Sequence, residues 1–229
     1  MATNVKNIVV GAANVYFSSS VNSSRPSDPA FVARVSAASY LDNAGSGSWI
    51  NAGLTSEGVD ISYEPGYGEV MVDQLLDVAK IFKQSLKVTA KTTLSEATLA
   101  NLEVAFGNDG SISAWAGGTS AVSMTLAAGA LGAEPVERSL VFVSQSAPGG
   151  TYNAWGSGSA VSASAGNQTE RVYVARRVVS MDTVAHSLKR DAATVFPVTF
   201  RLLPDTSYPA SEYGMIIDRV YAGATPYQG

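Results

Sequence analysis

Four carboxylates at close spacing, Asp60, Glu64, Glu69 and Asp73, come nearest in this chain to a pattern that does chemistry. Paired carboxylates can act as general acid and base, or hold a hard cation. Their spacing does not follow a calcium loop, and they alternate with apolar residues, which is the pattern of a solvated strand face. His186 stands between Asp182 and Asp191, but one histidine near carboxylates makes no triad, and no serine sits in a nucleophile elbow. Gly45-Ser46-Gly47 and Gly156-Ser157-Gly158 extend neither to a dinucleotide fingerprint nor to a P-loop lysine. With no cysteine and a single histidine, the chain lacks thiolate metal sites, disulfides and most zinc chemistry. No catalytic residue, no metal and no cofactor is expected, and the protein reads as a non-enzyme.

Composition narrows the class further. The chain has 229 residues, 46% of them hydrophobic and only 15% charged, against a usual charged fraction of about a quarter. Such a chain has a core and is not intrinsically disordered. A net charge of -4 argues against a sequence-blind grip on DNA phosphates. No targeting signal is visible, and the longest apolar stretch, Met124 to Ala133, falls far short of the ~20 residues of a membrane helix. The expectation is a soluble chain, made in a cytoplasm, with no membrane anchor. So little charge implies that much of the surface meets protein.

The elements that would position the carboxylates are strands. Val59, Ile61 and Tyr63 alternate with Asp60, Ser62 and Glu64; after Pro65-Gly66 the alternation resumes from Glu69 to Gln74. The pattern predicts two strands joined by a turn at Pro65-Gly66, with the four carboxylates on one face. A third strand is expected over 85–92, then a helix over about 94–106, opened by a capping box of Thr93 and Glu96 and closed at Gly107. Leu99, Leu102 and Phe106 recur at helical spacing and form its expected core face. Further strands are expected over 120–126, 139–143, 170–178, 195–203 and 215–220. Short strands punctuated by Gly and Pro, with one convincing helix, make the class mainly β.

The stretch 108–168 is dense in Gly, Ser and Ala, and between Ser111 and Gln168 only Glu134, Glu137 and Arg138 are charged. It reads as an insertion or a set of long loops within a single domain spanning 1–229. Elsewhere the charges are sorted. Seven acids and no base lie from Asp42 through Asp77; four lysines, Lys80, Lys83, Lys87 and Lys91, and no acid lie from Lys80 through Lys91. Two solvated faces of opposite sign explain this, as does a surface built to meet a copy of itself or to repel a polyanion.

Three segments together resemble the tail tube, or major tail, proteins of long non-contractile-tailed bacteriophages (siphoviruses). They are Trp49-Ile50-Asn51-Ala52-Gly53-Leu54-Thr55-Ser56-Glu57-Gly58-Val59, then Glu69-Val70-Met71-Val72-Asp73-Gln74, then Leu94-Ser95-Glu96-Ala97-Thr98-Leu99-Ala100-Asn101-Leu102. The resemblance implies a β-sandwich or barrel with one flanking helix. It implies hexameric rings, each copy adding strands to a continuous inner barrel, stacked into a tube around a tape-measure protein. Terminator and distal tail proteins would close the ends, and DNA would pass through in transit without specific binding. Placed in such a tube, Asp60, Glu64, Glu69 and Asp73 are lumen-facing candidates, and Lys80, Lys83, Lys87 and Lys91 are subunit-interface candidates. Two alternatives stand beside this reading. One is another ring-forming tail component, a terminator or baseplate protein. The other is a carbohydrate-binding β-sandwich, suggested by Trp49, Trp115, Trp155 and ten tyrosines.

Overall fold

In a computed structural model the protein is described over residues 13–24, 49–74, 77–108, 112–114, 121–126, 130–145, 151–153, 160–162, 168–182, 184–185, 188, 190–191 and 193–221. His186, Trp115, Trp155, the Ser-rich stretch from Arg25 and the tail from Ala222 lie outside these residues.

The fold is mainly β, with antiparallel pairing throughout the described strands. These are β1 (Asn14–Ser18), β2 (Trp49–Asn51), β3 (Thr55–Val70), β4 (Lys80–Leu94), β5 (Ile112–Ala114), β6 (Val122–Met124), β7 (Arg138–Gln145), β8 (Thr151–Asn153), β9 (Ala160–Ser162), β10 (Gln168–Ser180), β11 (Phe196–Leu202) and β12 (Gly214–Tyr221). One α-helix, α1 (Leu99–Ala105), follows β4. An 8-stranded sheet has the order β2-β1-β7-β10-β11-β4-β3, and β12 pairs with β10 off this path. β10 thus carries β12 along its first part and β11 along its last, with a register shift against β7 between Ala175 and Val178. β5–β6 and β8–β9 are separate two-stranded ribbons.

Period-two burial places the core. Phe196, Val198, Phe200 and Leu202 of β11 face inward with Val88, Ala90 and Leu94 of β4, against Val15, Phe17, Leu140 and Phe142 of β1 and β7. Val104 and Ala105 of α1 close this cluster, giving a sandwich with one helix. A second cluster, Tyr16, Trp49, Val141, Val143, Val172 and Val174, sits on the opposite face of β1, β7 and β10. Those three strands are therefore apolar on both faces, and their sequences lose the alternation that marks a half-buried strand. This explains the low charge around 139–143: β7 is a central strand, so the stretch 108–168 is not wholly peripheral.

Two expectations need correction here. The chain does not turn at Pro65-Gly66. β3 runs through both residues, and the hairpin turns between Val70 and Ala79, whose N–H bonds the Val70 carbonyl at 2.9 Å. Gly66 keeps a strand conformation, and an edge strand is where a sheet admits proline. The helix begins later than 94 because β4 continues through Leu94, paired with Phe196 and Thr55. The expected capping box is not made: the Thr93 hydroxyl donates to Glu57 Oε2 at 2.8 Å, while Glu96 accepts from Leu54 N–H at 3.0 Å. Thr98 is the cap instead, accepting from Asn101 N–H at 3.2 Å. The buried helix residues are Asn101, Glu103, Val104 and Ala105. Leu102 packs partly against the core, but Leu99 and Phe106 are 36% and 38% exposed. Starting the helix at Leu99 sets which stripe faces inward, and the larger apolar residues fall at its rim. Gly107, with φ of +64°, ends it as expected.

Buried polar groups are tied into this frame. Arg138, on β7, donates to Glu103 of α1 at 2.6 Å and to the carbonyls of Ser18 and Asn108 at 3.0 Å. Arg176 is buried on β10, its guanidinium over the Tyr208 ring and bonded to the Ser211 carbonyl at 2.7 Å. Arg177 forms a two-pronged pair with Glu137, at 2.9 and 2.6 Å. That hydrogen bonding raises the Arg177 pKa against the opposing effect of burial.

Candidate assembly surfaces

The β3–β4 hairpin carries every lumen and interface candidate except Asp73, which lies in its turn. Its register decides which of them meet. Asp60 lies opposite Lys91, Glu64 opposite Lys87, Glu69 opposite Ile81 and Val70 opposite Lys80. The acidic and basic blocks of the sequence are thus the two arms of one hairpin, and they face each other within the chain. Lys87 Nζ reaches Glu64 Oε2 at 3.5 Å, and the Ser62 hydroxyl donates to the same carboxyl group at 3.1 Å.

Alternation along β3 puts Asp60, Ser62 and Glu64 on the face away from the core, with Lys87, Thr89 and Lys91 of β4 and Thr199 and Arg201 of β11. Asp182, after β10, borders this shallow charged face. Glu69 does not join it. Nine positions separate it from Asp60, an odd number, so it points to the opposite side. The expectation of four carboxylates on one face rested on a turn at Pro65-Gly66 that the chain does not make. The basic block divides in the same way. A register shift at Gly66/Tyr67 leaves Lys80 on the charged side and turns Lys83 to the other, where it donates to the Tyr63 hydroxyl at 3.1 Å.

Beyond the end of β11 the hairpin projects with no third strand beside it among the described residues. Tyr63, Tyr67 and Ile81, on the side that continues the core face, are 60%, 62% and 60% exposed. On the other side, the Phe82 ring lies across Gly68, filling the space a Cβ there would need. Phe82 and Val70 are also exposed, as are Met71 and Val72 in the turn. A ribbon apolar on both sides cannot bury itself. The sequence carries this signal in the aromatic and aliphatic residues of 63–82, but a turn at Pro65-Gly66 would divide them between two short strands.

A third surface is the edge of the sheet. β3, sixteen residues long, is the last strand of its sheet. The surfaces described, a long edge with no partner strand among the described residues and an apolar ribbon, suit self-association. Trp49 is buried in the core and provides no sugar platform. Among the described residues, no group of acids and histidines is arranged to hold a metal ion.

The family model of the phage tail tube proteins matches residues 1–218. The chain belongs to that family. None of the curated proteins matches it. Membership makes the chain a structural component of the virion tail that associates with itself into a tube. It is in keeping with a fold that exposes an apolar ribbon.

Proposed function

We propose that this chain is the tube subunit of a siphovirus tail: hexameric rings stack into a tube, assembled around a tape-measure protein and later traversed by DNA. The family match over 1–218 carries this reading, and the projecting ribbon supports it, because its apolar sides need cover that only other copies supply in a homopolymer. Terminator and distal tail proteins bind the two ends. The whole chain acts as one tube domain, with the low-charge segments around β5–β6 and β8–β9 as its insertions.

In this arrangement the charged face of β3, β4 and β11 lines the lumen. Opposed acids and bases make it locally neutral, and such a wall gives DNA neither a basic track to adhere to nor a strong repulsion. At physiological salt any residual field fades over about 8 Å. Electron microscopy of the purified full-length chain tests the reading. Long tubes of stacked six-fold rings are expected; persistent monomers or isolated rings under all conditions overturn it. Lumen placement is tested separately with Asp60→Lys and Glu64→Lys together. Assembled mutant tails should retain DNA longer during ejection at low salt, and unchanged kinetics remove this face from the channel.

A further inference from the structure

The pairing of β4 with β11 sets four side chains of the charged face in a square. Lys91 lies opposite Thr199, and Thr89 opposite Arg201. Alternate residues of a strand share a face, so the corners stand about 5 Å apart across the strands and about 7 Å apart along them. The two cations occupy one diagonal and the two hydroxyls the other. All four line a depression of about 390 Å³. Their polar ends are uncommitted: among the described residues neither cation has an ion pair, and none of the four side chains makes a hydrogen bond. Thr89 is the telling member. It is only 7% exposed, yet its hydroxyl has no partner among the described residues. The equally buried Thr92 and Thr93 of the same strand donate to the Gly58 carbonyl and to Glu57.

We propose that this square binds one tetrahedral oxyanion, a phosphate group. The Arg201 guanidinium presents paired N–H donors that match two phosphate oxygens, and Lys91 adds a point charge. The Thr89 and Thr199 hydroxyls donate to the oxygens that remain. A cation would meet like charges at two corners, and an apolar ligand would leave the donors unpaired. The acids of the face set the limits of the site. Glu64 is tied to Lys87. Asp60, opposite Lys91 on β3, and Asp182, after β10, stand at the two rims, and both are exposed, so water and salt screen their repulsion. Positive charge is thereby confined to one point per chain, which suits a single phosphate and offers no continuous track to a polyanion. The depression is wider than a free ion needs, so a phosphate carried on a nucleotide chain can enter as well as inorganic phosphate. The assignment concerns the single chain and goes beyond the tube reading, holding whether or not this face lines a lumen.

The test is a titration of the full chain, kept dilute enough to stay monomeric, with inorganic phosphate against chloride at equal ionic strength. Phosphorus NMR reads binding, and circular dichroism confirms that each variant is folded. Saturable phosphate binding is expected. Arg201→Gln should weaken it at least about tenfold, and Thr89→Val, which removes only the hydroxyl, about fivefold. Lys87→Gln, on the same face but tied to Glu64, should change it less than about twofold. Lys91 is exposed, so Lys91→Gln keeps the test decisive should Arg201→Gln fail to fold. A short oligothymidylate is the second probe. If it displaces the phosphate, the site takes backbone phosphates too; if it does not, the assignment to the free ion stands. Absence of saturable phosphate binding overturns the proposal. So does binding that survives Lys91→Gln and Arg201→Gln together, which marks an adventitious ion only. Tube formation is read separately by microscopy, so failure here leaves the tube reading intact.

Discussion

The two halves of the β3–β4 hairpin share a sequence style but not an environment. From Val59 to Glu64, β11 lies beside β4: Val59 packs on the core with Val88 and Ala90, Ile61 and Tyr63 are progressively more exposed, and the other face is a charged surface shared with β11. From Gly66 to Val70 and back through Ile81 to Lys83, no third strand lies alongside among the described residues, and the large apolar side chains of both faces are exposed. The same alternation that is satisfied at the root is left unsatisfied at the projecting end. The fold therefore depends on the first half, and the second offers apolar surface that the monomer leaves uncovered.

Mutations in the frame and in the ribbon should separate these roles. The largest effect is expected inside the frame, where Glu103→Ala leaves Arg138 buried without its carboxylate; such a loss costs about 3–5 kcal/mol, read by urea denaturation. Phe200→Ala, behind the rooted half, should cost about 3–5 kcal/mol through the cavity it leaves. Phe82→Ala, in the projecting half and 45% exposed, should cost the monomer under about 1 kcal/mol yet markedly reduce tube yield. Equal destabilisation by the two phenylalanine variants would break the comparison. On the helix, Leu102→Ala should destabilise more than Leu99→Ala, which is expected to stay within about 1 kcal/mol. Smallest is the cross-strand charge pair: Lys87→Glu sets two acids opposite each other on an exposed surface and should cost less than about 1 kcal/mol. The double exchange Glu64→Lys with Lys87→Glu should restore that loss in a thermal melt.

Much of the strand pattern was legible because alternation survives wherever one face is wet. β11 and β12 were placed within a residue or two of their observed ends, and β10 was located though it is longer at both ends. The helix was found but started too early, since Thr93 and Glu96 match a capping box while tertiary contacts with Glu57 and Leu54 claim both side chains. The hairpin was misread for a related reason. Pro-Gly is a strong local turn signal, and only pairing with distant residues shows that β3 passes through it. The candidate site suffered with it: opposed charge blocks are visible in sequence, but their partnership across one ladder depends on where the turn falls.

The pairing of β1 with β7 sets a clock on the molecule. β3 and β4 meet across one turn, whereas Asn14 must find Val143 before the central strands are complete. Contacts so distant in sequence form slowly compared with a local hairpin. During that interval the hairpin has its open edge and apolar ribbon, while the neighbouring surfaces that would receive them are unfinished. A newly made chain is therefore adhesive before it is accurate, and crowding many copies together early favours disordered aggregates over ordered growth. Slower synthesis or lower temperature should improve the yield of competent subunits, with no change in the stability of those that finish.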